Sequence, residues 1–363
     1  VDSTVEETET KASGRPWIKR TIIAILSVAI GYLVLQFAQG VQWSAVGDSF
    51  RQLEPWHIAF LLALLMVRQL FNATPLTRFV PGVTLGKAVQ NDLSANVVAT
   101  FAPPPADVVL RVSMFRSWGV HPVDGMAGVT LGSIVFYAAR FTAPVIGLVL
   151  LAFVGLDTRQ WLVGGVSALL AATILTTLIV VLRSETWAEL VGRTAARLVR
   201  KLRAQVDGDV WAAAVSEFRG RIVKVVKSNL VPAMAGMLAA IVTDSAILLL
   251  SLRFVGISAE QLPTVEILAA FYMVYPLTIL PLFGLGVMDA LMLASWSEIA
   301  GPTYESTLLA GTIVWRTVTI GGTLILGAFA ASWWRLRNQS SSMTSVSTDT
   351  APADDSQDEA EPS

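Results

Sequence analysis

The sequence predicts an all-α fold: a polytopic transmembrane bundle of about eight helices, with two Pro/Gly-broken, re-entrant-like segments related as internal repeats. Three observations carry this. Hydrophobic residues fill 54% of the 363 positions and charged residues only 15%, where soluble domains carry ~25% charged residues. The mean hydropathy is +0.62, and the apolar residues fall in runs of about 18 or more, the length at which a helix matches the hydrocarbon core. Two of these runs are interrupted, at Pro103-Pro104-Pro105 and at Pro281 to Gly286.

The formal net charge of −1 hides an asymmetry. Asp2, Glu6, Glu7, Glu9, Asp349, Asp354, Asp355, Asp358, Glu359 and Glu361 all lie in terminal segments (1–10, 338–363) that contain no Lys or Arg. Without those ten of the 27 acids, 26 bases face 17 acids, a net of +9 that suits an anionic leaflet and not nucleic acid. Cysteine is absent and His57 and His121 are the only histidines, so thiolate chemistry is excluded and neither a metal nor another cofactor is expected.

In chain order, residues 1–19 read as a disordered cytoplasmic N-terminus, residues 20–335 as the transmembrane domain and 336–363 as a disordered acidic tail. The run from Thr21 to Ala38 is too long for a signal-peptide core and no small-x-small site follows it, so a retained first span (20–39) is expected. The second span covers 56–72 and opens with Trp56. Segment 84–105 carries Lys87, Gln90, Asn91, Asp92 and Asn96 before its three prolines, which fits a broken or re-entrant helix shielded by protein. Long apolar runs follow at 125–154 and 161–182. A basic loop spans 183–228, with Val191, Ala195, Leu198 and Leu202 at helical spacing. Further spans are expected at 229–251, 265–282, 285–300 and 306–332. The basic cluster Lys11 to Arg20, the 183–228 loop and Arg335/Arg337 place both termini in the cytoplasm of a plasma-membrane protein, with 40–55, 155–160 and 252–264 facing outward.

Four charges fall deep inside expected spans: Arg140, Asp244, Asp289 and Arg316. Each costs roughly 2.5–3.5 kcal/mol at a helix centre, so these residues either neutralise one another or line a polar cavity that receives a charged headgroup. The two broken stretches, FAPPPADVVLR (101–111) and LPLFGLGVMD (280–289), each end in an acid that starts a helical run. Paired interruptions in two halves point to a transporter's binding site, because the following half-helix offers its N-terminal dipole to an anion. They are equally the pattern of two kinks, each with a helix-starting Asp. Asp107 and Arg111 stand four apart and can pair, and Arg116 extends that basic patch.

At these loops the sequence resembles the membrane domain of lysylphosphatidylglycerol synthases, a flippase-like unit that also occurs alone. The resemblance rests on Asn96, Pro103-Pro104-Pro105-Ala106-Asp107, Arg111 and Arg116-Ser117-Trp118-Gly119-Val120, then Pro281, Gly284-Leu285-Gly286-Val287, Asp289 and Arg316, and covers about residues 20–335. Ala106-Asp107 and Asp289 stand where the family usually has Gly-Glu and Glu, and Phe283 replaces a Gly. The resemblance implies movement or presentation of a lipid across the bilayer. Aminoacyl-lipid synthesis is not expected, since only the acidic tail follows the last span.

The favoured reading is therefore a lipid transporter handling an anionic phospholipid or a lipid-linked glycan, with no ATP motif. Its candidate substrate-binding residues are Asn96, Asp107, Arg111, Arg116, Arg140, Asp244, Gly284, Gly286, Asp289 and Arg316. The alternatives are a polyprenyl-linked glycosyltransferase, for which only Asp48 and Glu54 offer an outward acid pair, and a non-transporting subunit that docks envelope-assembly proteins.

Overall fold

A computed structural model of the protein describes residues 43–103, 105–152, 208–280 and 284–348, with isolated positions between 169 and 177. Every element among these residues is helical. The expected first span, most of the 161–182 run, the 183–207 part of the basic loop, Pro104, Pro281 to Phe283 and the tail after 348 lie outside the described residues.

Helix α1 spans Trp43–Phe50 and α2 spans Pro55–Asn72. Pro55 starts α2 at a position that needs no N–H, and the His57 ring accepts the Glu54 N–H at 3.0 Å. Helix α3 (Thr74–Phe79) follows directly, so the apolar run extends over Pro55–Phe79. Helices α4 (Leu85–Phe101) and α5 (Ala106–Ser117) flank the first break, and α6 covers Pro122–Leu151. Helix α7 is continuous over Gly208–Phe254. Helix α8 (Thr264–Val274) tightens into a 3₁₀ turn at Tyr275–Ile279, and α9 (Val287–Ala300) follows the second break. Helix α10 (Glu305–Arg316) passes through a π-helical stretch at Thr317–Gly322 into α11 (Thr323–Thr348).

Four stretches are long and apolar enough to cross a membrane: Pro55–Phe79, Pro122–Leu151, Ser228–Phe254 and Pro302–Asn338. They correspond to four of the expected spans. Two boundaries differ from expectation. The basic loop does not stop where α7 enters the apolar region, because no proline occurs between Gly208 and Pro232 and the helix simply continues. The last helix likewise runs to Thr348, past the expected start of the disordered tail, since no Gly or Pro follows Gly327 until Pro352.

The expected spans 265–282 and 285–300 behave differently. Helix α9 has 14 residues, about 21 Å of rise against a hydrocarbon core of ~30 Å, so it does not cross alone. Gln261, just before α8, donates to the Tyr304 hydroxyl, just after α9, at 2.9 Å. The start of α8 and the end of α9 thus lie beside each other. Helices α4 and α5 also pair as a hairpin, for Arg111 bonds back to Asn91 and Asp92.

The hairpins are held by the long helices. Helices α2–α3 and α7 run antiparallel: His57 stacks on Phe254 at 4.0 Å, Arg68 meets Asp244, and Gly236 lies against Thr74. A Cβ at Gly236 would stand 2.5 Å from Thr74, and one at Gly327 would stand 2.4 Å from the Leu93 carbonyl. Such small residues let helices approach closely where lipid supplies no hydrophobic drive for association. The main core gathers Leu61, Leu65, Leu131, Leu248, Phe271, Trp296 and Trp315 around this contact.

Candidate functional site

A polar cavity of about 270 Å³ opens between the long helices and the first hairpin. Four arginines reach its wall from four helices: Arg68 (α2), Arg111 (α5), Arg140 (α6) and Arg316 (α10). Asp92 and Asp244 line it too, with Asn96, Thr100, Thr278, Thr319 and Thr323 supplying further polar groups. The π-helical stretch helps to build this wall. A π turn holds more residues than an α turn, so Trp315, Thr319 and Thr323, each four apart, stay on one side.

Three of the arginines have carboxylate partners. Arg111 Nη1 donates to Asp92 Oδ1 at 2.8 Å and also to the buried Asn91. Arg316 engages Asp289 Oδ1 from Nε at 2.9 Å and from Nη2 at 2.8 Å. Arg68 reaches Asp244 Oδ2 at 3.4 Å, and that carboxylate also accepts the Tyr275 O–H at 3.3 Å and the Trp315 Nε1–H at 3.1 Å.

Arg140 differs. Its Nε donates to Thr278 Oγ1 at 2.8 Å and its guanidinium lies 3.3 Å from the Phe136 ring centre. Among the described residues no carboxylate lies within ion-pair distance of it. Among the described residues, four guanidiniums against three carboxylates leave one positive charge, and it resides on a side chain only 6% exposed. Burying an unpaired cation is strongly unfavourable, whereas a cation completed by an incoming anion is a binding group.

Of the ten residues singled out from the sequence, Asn96, Arg111, Arg140, Asp244 and Arg316 line the cavity. Asp289 stands behind Arg316, and its second oxygen accepts the Gly286 N–H at 2.9 Å in the first turn of α9. Gly284 and Gly286 shape the break, with φ of +70° and +86°. A Cβ at Gly284 would stand 2.6 Å from the Leu277 carbonyl, so only glycine fits. Asp107 and Arg116 do not line the cavity. The expected pairing of Asp107 with Arg111 is not made: Arg111 turns across the hairpin to Asp92 and Asn91, while Asp107 occupies the first turn of α5, where the helix dipole favours an acid. Arg116 ends that helix exposed. Asp48 and Glu54, the acids expected to face outward, are engaged locally, Asp48 with Arg51 at 3.0 Å and Glu54 with Trp56 and the α2 cap.

Sequence reasoning missed Arg68, Tyr275, Thr278 and Trp315. Arg68 sits near the expected end of a span, and only the continuation through Pro75 to Phe79 places it inside. Asp92 appears in the sequence merely as polarity in a weak span, and its partner lies across the hairpin tip. No family model matches the chain, and neither a curated protein nor a solved structure matches it significantly.

Proposed function

We propose that the chain is a membrane-embedded lipid transporter of the kind its resemblance to lysylphosphatidylglycerol synthase membrane domains suggests. An anionic headgroup enters the arginine-lined cavity while the acyl chains remain in the bilayer. The observation that carries this reading is the excess cation, Arg140, on the wall of a polar cavity bounded by membrane-length helices. A solvated lipid anion is the ligand that both supplies the missing charge and arrives from the membrane.

The arrangement of the two halves supports it. Each half reads as a long helix, a broken hairpin and a second long helix: α2–α3, α4/α5 and α6 in the first, α7, α8/α9 and α10–α11 in the second. Arg68 and Asp244 meet at a separation of 176 positions, and Arg140 and Arg316 are separated by the same interval. Glycines with positive φ follow the first helix of each half (Gly82, Gly256) and each hairpin (Gly119, Gly301). With α2–α3 and α7 antiparallel, this is the pattern of an inverted repeat, whose interface near the bilayer midplane is where transporters hold their substrates. Arg78, Lys87, Arg116, Arg335 and Arg337 gather at the end where Trp334 bonds Ser117, which the positive-inside rule assigns to the cytoplasm. At the opposite end Arg253 is occupied by the carbonyls of Ile257, Ser258 and Leu262.

The test is transbilayer movement of chain-labelled phosphatidylglycerol and phosphatidylcholine in proteoliposomes. Wild type is expected to accelerate the anionic lipid over protein-free vesicles, and Arg140→Ala to lose at least ~10-fold of that rate, about 1.4 kcal/mol. Wild-type vesicles no faster than empty ones would remove the transport reading.

A further inference from the structure

The headgroup reading leaves two ligand classes open, a phospholipid carrying one phosphodiester charge and a glycan carried on a pyrophosphate. Resting on that reading, we infer that the cavity's anion site is a single-charge phosphate site: Arg140, oriented by Thr278, and Arg68 bind a phosphodiester, and its arrival draws Arg68 away from Asp244.

Arg140 uses Nε on Thr278, and its two terminal nitrogens make no hydrogen bond among the described residues, although the side chain faces the cavity. A guanidinium with its outer edge unengaged presents the fork that matches two phosphate oxygens. Arg68 and Asp244 line the same cavity as Arg140.

The three carboxylate pairs are not equally firm. Arg111–Asp92 and Arg316–Asp289 close to 2.8 Å, whereas Arg68–Asp244 stands at 3.4 Å. Asp244 also has two other donors, the Tyr275 hydroxyl and the Trp315 indole. When Arg68 turns to a ligand, Asp244 therefore keeps hydrogen bonds to both oxygens. Neither of the other acids is arranged for exchange in this way: Asp289 would retain the Gly286 N–H alone, and Asp92 has no second donor among the described residues. Arg68 is thus the cation that can leave its partner most readily.

Charge then selects the ligand. Arg68, Arg140 and Asp244 sum to one positive charge, which a phosphodiester monoanion neutralises. A pyrophosphate brings at least one further negative charge into a low-dielectric site, where uncompensated charge is costly. Size agrees: about 270 Å³ is near the lower end of cavities that enclose a ligand, typically ~300–1,000 Å³, and suits a small phosphodiester headgroup.

The experiment uses the full chain in phosphatidylcholine nanodiscs and measures competition between fluorescent phosphatidylglycerol and three probes: phosphatidylglycerol, a polyprenyl pyrophosphate and soluble glycerophosphoglycerol. Wild type is expected to favour phosphatidylglycerol over the pyrophosphate by at least ~10-fold. Arg140→Gln should lose that binding, and Arg140→Lys, which keeps the charge but not the fork, should retain only part of it; neither strands a carboxylate, so both should fold. Asp244→Asn raises the local charge by one and should shift preference toward the pyrophosphate. The soluble headgroup should compete only at far higher concentration; equal potency would assign the site to a soluble phosphodiester and overturn the lipid source. Undiminished binding by Arg140→Gln, or wild-type preference for the pyrophosphate, would overturn the site. Phosphatidylglycerol held no better than phosphatidylcholine by wild type would instead remove the headgroup reading itself.

Discussion

Arg140 and Arg316 each lie in the second long helix of their half of the chain, and both line the same cavity. Arg316 is held by Asp289, an acid in the first turn of α9 that also closes the break at Gly286. Arg140 faces the 3₁₀ turn of the same hairpin but meets a threonine and a phenyl ring in place of a carboxylate. One arginine is therefore part of the scaffold, and the other is an unfinished ion pair. The contrast separates an arginine with a carboxylate partner from one with none among the described residues.

The largest expected effect comes from breaking the finished pair. Asp289→Ala removes the carboxylate that engages the buried Arg316 and opens the cap at Gly286, so a destabilisation of about 3–5 kcal/mol is expected in thermal unfolding in detergent. Arg140→Ala strands no acid, and its stability should stay within about 1 kcal/mol of wild type while lipid binding falls. Equal destabilisation by the two substitutions would erase the distinction between them. Gly286→Ala, at φ +86°, forces a side chain into left-handed backbone beside Asp289 and should cost roughly 1–2 kcal/mol by the same measurement. Asp107→Ala sharpens the comparison from the other side. This first-turn acid has no ion pair among the described residues and does not line the cavity, so a change within ~0.5 kcal/mol and near-normal lipid binding are expected.

Much of this was legible in the sequence. Hydropathy located the four membrane-length stretches, and the Pro- and Gly-rich breaks preceded the helix starts at Ala106 and Val287, because turn chemistry is local. Embedded charge found Arg140, Asp244, Asp289 and Arg316 for the same reason: a charge inside an apolar run is visible without knowing its neighbours. Partners were not legible. Spacing suggested Asp107 for Arg111, but the hairpin places Asp92 there, 19 residues away. Arg68 escaped because it lies four residues from the expected end of its span at 72, although Thr74–Phe79 carries the apolar run onward. Where a pair forms across a fold, neither residue announces the other.

The most direct measurement is an experimental structure of the full chain in nanodiscs containing phosphatidylglycerol. The account predicts a headgroup phosphate at about 2.8 Å from the Arg140 guanidinium, with Arg68 turned toward it and Asp244 still bonded to Tyr275 and Trp315. A cavity free of lipid, with Arg140 still bonded only to Thr278 and Arg68 still on Asp244, would contradict it.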